Sequence, residues 1–154
     1  MIEPHPFDWL FVDRLGVCVH PMVGEQAAAQ LASSHIGLLI NLHERANSPE
    51  LIDRIGARSL HMPVPNTFPP TQAQLDEGVA AIAEALAGGE RVVVHCGAGL
   101  GRSGTLLAAF LVFEEGCDAE QAMRRVRAAR PGAIETLDQE QAIREYARRR
   151  GHAL

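Results

Sequence analysis

One stretch limits what this chain can fold into more than any other: His95-Cys96-Gly97-Ala98-Gly99-Leu100-Gly101-Arg102-Ser103-Gly104-Thr105. The run leading into it, Arg91-Val92-Val93-Val94-His95, is apolar and β-branched and predicts a short buried strand. The run leaving it, Ser103 to Glu115, carries Leu106, Leu107, Phe110, Leu111 and Val112 and predicts an apolar helix. A strand that feeds a glycine-rich loop and then a helix is suited to holding an anion. The helix N-terminus presents unpaired N–H groups and a partial positive charge, and successive loop N–H groups can form a concave nest. The glycines at 97, 99, 101 and 104 let the backbone approach a ligand closely.

Three side chains turn this cradle into a reactive site. Cys96 sits where strand becomes loop, and a thiolate there is favoured by the helix terminus and by Arg102. Arg102 offers a planar fork for two oxygens of one anion. Ser103 is expected to cap the helix and to hydrogen-bond the sulfur. The Cys-x5-Arg spacing closes the loop around one tetrahedral anion, so Gly97, Ala98, Gly99, Leu100, Gly101 and Arg102 are the expected phosphate-binding residues.

The chain resembles the cysteine-dependent phosphatases, and among them the small atypical dual-specificity phosphatases of the VHZ-like subgroup. The resemblance covers nearly the whole chain. It rests on the loop and also on Phe7-Asp8-Trp9 with Arg14-Leu15-Gly16, Glu44-Arg45 and Pro63-Val64-Pro65 with Pro69-Pro70. It extends to Arg130-Pro131-Gly132-Ala133-Ile134-Glu135-Thr136 with Gln139-Glu140. It implies an α/β fold with a central, mostly parallel sheet flanked by helices, the dual-specificity phosphatase fold. It also implies two-step hydrolysis through a phosphocysteine on Cys96, without cofactor or metal. A phosphorylated peptide or small aryl phosphate is the implied partner, and inorganic phosphate the product.

Size and composition agree. One domain spanning 1–154 is expected for 154 residues. The net charge is −5 with a pI near 5.8, so there is no electrostatic footprint for nucleic acid. Three cysteines make no disulfide framework. Met1-Ile2-Glu3-Pro4-His5-Pro6 lacks the basic start and apolar run of a signal peptide. No apolar run reaches the length of about eighteen residues that crosses a bilayer. A cytoplasmic protein without membrane partners is expected.

Along the chain, Trp9–Val12 and Leu15–Val19 read as strands, Glu25–Ser34 as a helix, and Ile36–Leu42 as a central parallel strand. Ser48–Ile55 reads as a helix with Pro49 in its first position, and Ser59–Pro63 as a strand. Thr71 with Gln74, and Thr136 with Gln139, are capping boxes for later helices, and Asp118 starts another. The strand ending at His43-Glu44-Arg45 brings Arg45 either to the mouth of the site or into a solvated ion pair. Cys18 reads as a core residue, with a protective disulfide to Cys96 as the alternative. His95 reads as a loop-shaping hydrogen-bonding residue rather than a base.

The resemblance places a general acid, an Asp, after the Pro-x-Pro turn; this sequence has Asn66 there. An amide hydrogen-bonds but delivers no proton as a carboxylic acid does. General acid catalysis is typically worth about 10²–10⁴-fold. A phenol with a pKa of about 10 leaves with little help, whereas an alkyl alcohol does not. A bias toward phosphotyrosine and other aryl esters follows, with Glu135 as the foremost substitute acid and Glu44 and Asp76 as lesser ones. Two alternatives stay open, a phosphopeptide-binding pseudophosphatase and a phosphatase on a non-protein ester. An arsenate-reductase-like thiol relay is disfavoured, because Cys18 and Cys117 form no clear relay with Cys96.

Overall fold

The strand entering the reactive loop, Arg91–His95, lies in the middle of the sheet, and Val92, Val93 and Val94 are inaccessible on both of its faces. A computed structural model describes residues 4–151; Met1-Ile2-Glu3, part of the stretch read as lacking a leader pattern, lie outside them, as do residues 152–154. In chain order the elements are β1 (Phe7–Phe11), β2 (Leu15–Cys18), α1 (Glu25–Ser33), β3 (Ile36–Asn41), α2 (Pro49–Ile55) and β4 (Arg58–His61). There follow α3 (Gln72–Ala87), β5 (Arg91–His95), α4 (Gly101–Glu115), α5 (Ala119–Ala129) and α6 (Leu137–Arg149). The sheet has five strands in the order β1-β2-β5-β3-β4. β5 pairs in parallel with β2 and β3, β3 pairs in parallel with β4, and only β1 runs antiparallel. This is the mostly parallel α/β sheet that the alternation of strands and helices predicts.

Side chains alternate across the sheet and divide the interior in two. Val92, Val94 and Cys96 join a large core with Leu38, Ile40 and helices α3 to α6. Cys18, Leu39 and Val93 join a smaller core with α1 and α2. Helix α4 is buried from Gly101 through Val112, which is why its sequence is apolar all round rather than along one stripe.

The local signals for helix ends operate as the sequence predicts. Ser48 Oγ accepts from the Leu51 N–H at 3.2 Å with Pro49 in the first turn. The Thr71–Gln74 and Thr136–Gln139 capping boxes are closed, and Asp118 forms a third with Gln121. Some boundaries differ. β1 begins at Phe7 and stops short of Val12, which lies outside the ladder and is 75% exposed. β4 runs over Arg58–His61, one step ahead of the expected Ser59–Pro63. A proline offers no N–H to a ladder, so Pro63 falls beyond it.

Phe110 of α4 is wholly inaccessible within the larger core. Phe110→Ala is expected to lower the unfolding free energy by about 3–5 kcal/mol in urea titration, the range for a buried aromatic truncation.

Candidate active site

The loop between β5 and α4 has a one-sided polarity. Among the described residues, no backbone N–H from Gly97 through Ser103 donates to a protein acceptor. The carbonyls of the same segment are all engaged. Gly97 O accepts from His20 N at 2.8 Å, and Leu100 O from the N–H groups of Gly104 and Ile134 at 3.0 and 3.1 Å. Gly101 O accepts from Thr105 Oγ1 at 2.7 Å. Donors face inward and acceptors are held outward, which is a nest for an anion.

Arg130 supplies the rest of that outward hold. Its side chain is 1% exposed. Nε donates to Gly99 O at 3.0 Å and Nη2 to Ala98 O at 2.9 Å. Nη1 donates to Asp8 Oδ2 at 2.8 Å and to His5 O at 2.6 Å, which ties the loop to the start of the chain. Gly99 has φ +72°, and a Cβ there would sit 2.4 Å from Cys18 O, so the loop's closest backbone approach requires glycine. In the sequence Arg130 is marked only by the family resemblance, because its role lies in tertiary contacts; an arginine is buried only where several acceptors surround it.

Helix α4 starts at Gly101, two residues before the expected start, and its N-cap is Leu100, with no side-chain cap. Ser103 therefore lies inside the first turn and caps nothing, contrary to expectation. Its Oγ is fully buried and has no hydrogen-bond partner, the Cys96 sulfur included. The reason is physical: a capping side chain would occupy the first-turn N–H groups that the nest keeps free.

Arg102 is 4% exposed and faces the cleft from the first turn of α4. Nη1 donates to Glu44 Oε1 at 2.7 Å and to Val64 O at 2.8 Å. Nη2 lies on the loop side, 3.3 Å from where a Gly97 Cβ would be. At the end of β3 it is thus Glu44, and not Arg45, that reaches the site; Arg45 is exposed, and its backbone binds His43 and Asn41. Hydrogen bonds from its own backbone N–H, from Arg102 and from the Asn66 N–H depress the Glu44 pKa to about 2, so Glu44 is ionised throughout the working range and holds no proton to donate. Asp76 pairs with Arg149 at 2.7 Å on the outer face of α3, away from the cleft. Both lesser acid candidates are thereby removed.

Asn66 and Glu135 both line the cleft with Cys96, in a cavity of about 500 Å³ that also takes in His43, Glu44, Leu100 and Arg102. Asn66 Oδ1 accepts from the Thr67 N–H at 3.0 Å, and Glu135 Oε1 lies against Gly101, 2.5 Å from a notional Cβ. Each is held by a left-handed neighbour, Thr67 at φ 70° and Ile134 at φ 63°. For a β-branched residue this conformation costs energy. It is kept by cross-links, Ile134 N to Leu100 O at 3.1 Å and Thr136 Oγ1 to Thr67 O at 3.3 Å.

His95 is fully buried, and its Nδ1 lies 3.3 Å from Cys96 O, which can only accept. Nδ1 therefore carries the proton, and Nε2 accepts from Asn47 Nδ2 at 2.9 Å. Burial, aided by His20, drives the His95 pKa down to about 3, as the loop-shaping reading requires. Cys18 is a buried free thiol raised in pKa by the same loss of solvent. It packs with the α1–α2 core while Cys96 joins the larger core, and both thiols are free. Cys117 is a free thiol beyond the far end of α4.

Arg130→Met is expected to cost about 3–5 kcal/mol in stability, because it strips a partner from Asp8 and strands three carbonyls. The folded variant is expected to bind inorganic phosphate at least about tenfold more weakly by calorimetric titration, a loss of 1.4 kcal/mol; unchanged affinity means the loop shapes itself. His95 gives a pH signature. Its pKa is depressed in the fold, so the unfolded chain binds the extra proton below pH 6.5. Its stabilisation is complete above that pH and falls by about 1.4 kcal/mol per unit on acidification. Thermal unfolding at pH 7 and pH 5 is expected to show this drop, with a smaller drop in His95→Gln.

The model of the family described as "Swiss Army Knife protein, DSP-PTPase phosphatase domain" matches residues 4–143. A zebrafish (Danio rerio) protein tyrosine phosphatase domain-containing protein 1 is 51% identical over 57 residues, covering 37% of this chain and 8% of that protein. The yeast (Saccharomyces cerevisiae) tyrosine-protein phosphatase CDC14 is 27% identical over 103 residues, covering 67% of this chain and 19% of that one. The chain thus spans less than a fifth of these relatives. Among solved structures, Tk-PTP in its active form superposes with TM-score 0.83 at 30% identity, covering 94% of this chain and 97% of that one. PTPMT1 in complex with PI(5)P superposes at 0.82 with 22% identity, covering 94% and 96%, and shows the fold. The chain belongs to the DSP-PTPase phosphatase family, the dual-specificity and tyrosine phosphatases.

Proposed function

We propose that this protein hydrolyses phosphotyrosine and other aryl phosphate monoesters through a phosphocysteine on Cys96. The observation that carries this reading is the loop's polarity: every N–H from Gly97 to Ser103 is free to meet the anion that Cys96 attacks. In the first step the thiolate attacks phosphorus, the S–P bond forms and the P–O(aryl) bond breaks. In the second, water attacks phosphorus, the S–P bond breaks, and thiolate and inorganic phosphate are released. The loop amides and Arg102 stabilise the equatorial oxygens in both steps. Val64 O and Glu44 hold Arg102 from behind, which leaves its loop-side nitrogens for the phosphate. Ser103 Oγ, buried and without an acceptor, is a donor for the thiolate released in the second step.

The leaving oxygen is the step at which Asn66 stands where the family resemblance implies an Asp. Asn66 offers an amide whose oxygen is already taken by the Thr67 N–H. Glu44 is ionised by its hydrogen bonds. Glu135 is the remaining carboxyl lining the cleft among the described residues. It protonates the leaving group where protonation is needed and positions water in the second step. A phenolate leaves readily, an alkoxide does not, and the enzyme selects aryl esters on that ground. A second reading, a phosphopeptide-binding module without turnover, is favoured by Asn66 alone.

The test is steady-state hydrolysis of p-nitrophenyl phosphate and an alkyl phosphate from pH 5 to 8. The wild type is expected to turn over the aryl ester at least about 10²-fold better, the lower end of what a general acid supplies. Cys96→Ser is expected to be inert, Glu135→Gln to lose kcat while keeping phosphate affinity, and Asn66→Asp to gain chiefly on the alkyl ester. Equal use of both esters removes the aryl preference. Phosphate binding without turnover selects the recognition module.

A further inference from the structure

Each of the two segments that lend Asn66 and Glu135 to the cleft also carries, two residues on, a large apolar side chain that the fold does not bury. Phe68 is 60% exposed and Leu137 is 74% exposed, in a chain with few such residues. They are not neighbours in sequence, but the loop and helix end that bear them are tied together. Thr136 Oγ1 donates to Thr67 O at 3.3 Å, and Gln139 Nε2 donates to Phe68 O at 3.4 Å. Asn66 and Glu135, each two residues before one of them, line the cleft itself. Leu100, half-buried within the cleft, continues the apolar surface inward. A phosphate monoester seated in the loop extends its remaining body out past these two segments. Single exposed apolar residues need no explanation, but a pair on linked segments at the mouth of a site does.

Charge narrows the occupant. Glu44 and Glu135 line the cleft, and the exposed Asp138 follows Leu137. Among the described residues, the only arginine lining the cleft, Arg102, is already paired with Glu44. Further anionic groups on a substrate meet carboxylates rather than cations, which disfavours polyphosphorylated headgroups and acidic peptides. Resting on the proposed phosphatase activity, we infer that Phe68 and Leu137 form an apolar platform that selects phosphotyrosine peptides with a large apolar residue next to the phosphotyrosine. The aryl ring fills the cleft, and the flanking side chain covers the platform and removes its apolar surface from water.

The test uses phosphotyrosine peptides that differ only in the flanking residues, Leu or Phe against Ser or Glu, with p-nitrophenyl phosphate in parallel. The wild type is expected to favour Leu and Phe over Ser about tenfold in kcat/KM, and to reject Glu further. Phe68→Ser and Leu137→Ser change exposed side chains; their folding is checked by thermal unfolding and phosphate affinity. The ratio of kcat/KM on the Leu peptide to that on p-nitrophenyl phosphate is expected to fall about tenfold in the double variant, mainly through KM. Wild-type turnover of p-nitrophenyl phosphate with no dependence on flanking residue overturns the platform and leaves the phosphatase reading standing. No turnover of any ester overturns the phosphatase reading itself. Sedimentation with vesicles containing anionic lipid, lost in the double variant while the peptide ratio is unchanged, overturns the platform in favour of a membrane contact.

Discussion

The site depends first on an asymmetry of the backbone. An anion is held here by N–H groups, and a loop of alternating N–H and C=O offers them all on one side only if its carbonyls have partners on the other. Arg130 provides the decisive ones, with Nε on Gly99 O and Nη2 on Ala98 O. The remaining carbonyls go to His20 N, Gly104 N, Ile134 N and Thr105 Oγ1. Burying a guanidinium is costly unless each face is satisfied, and here Asp8 and His5 O take the side away from the loop. The same arginine cancels the charge of Asp8 and sets the polarity of the cradle, so stability and binding share one side chain.

A second layer of charge sets what the cradle accepts. Arg102 is buried and oriented by Glu44, a carboxylate that itself remains half exposed. The pair brings a fixed fork to the loop while its negative partner stays at the mouth. The cleft is therefore attractive at its floor and mildly repulsive at its rim, a distribution suited to a single phosphate on a body that carries little other negative charge. The left-handed Thr67 and Ile134 hold the rim residues in place through hydrogen bonds between segments far apart in sequence.

The sequence carried the fold almost entirely, because its signals are local. The valine run of β5, the capping boxes of α3 and α6, and the all-apolar α4 each specify an element without reference to the rest. The reactive loop was legible for the same reason: nucleophile, glycines and Arg102 are contiguous. What was not legible is tertiary. Ser103 looked like a cap because serine before an apolar run usually is one, and only the loop's shape moves the helix start to Gly101. Glu44 and Arg45 are adjacent, and a half-turn of backbone decides which of them meets Arg102. Cys18 pairs in register with His95, one residue short of Cys96, a proximity that sequence spacing does not reveal. Arg130 reaches Asp8 across 122 positions, and no local pattern announces that.

That last connection has a consequence for the order in which the molecule comes apart. β1 is an edge strand, held on one side by β2 and, through Asp8 and His5, by Arg130. Whatever detaches this edge also releases the guanidinium that shapes the cradle, so the edge and the anion site open together as one cooperative unit. By linkage, an anion that binds only the shaped cradle must in turn favour the docked edge. A bound anion therefore acts on β1, on the far side of β2 from the Cys96 sulfur, and protection of β1 amides from exchange becomes a readout of occupancy at a site that β1 does not line.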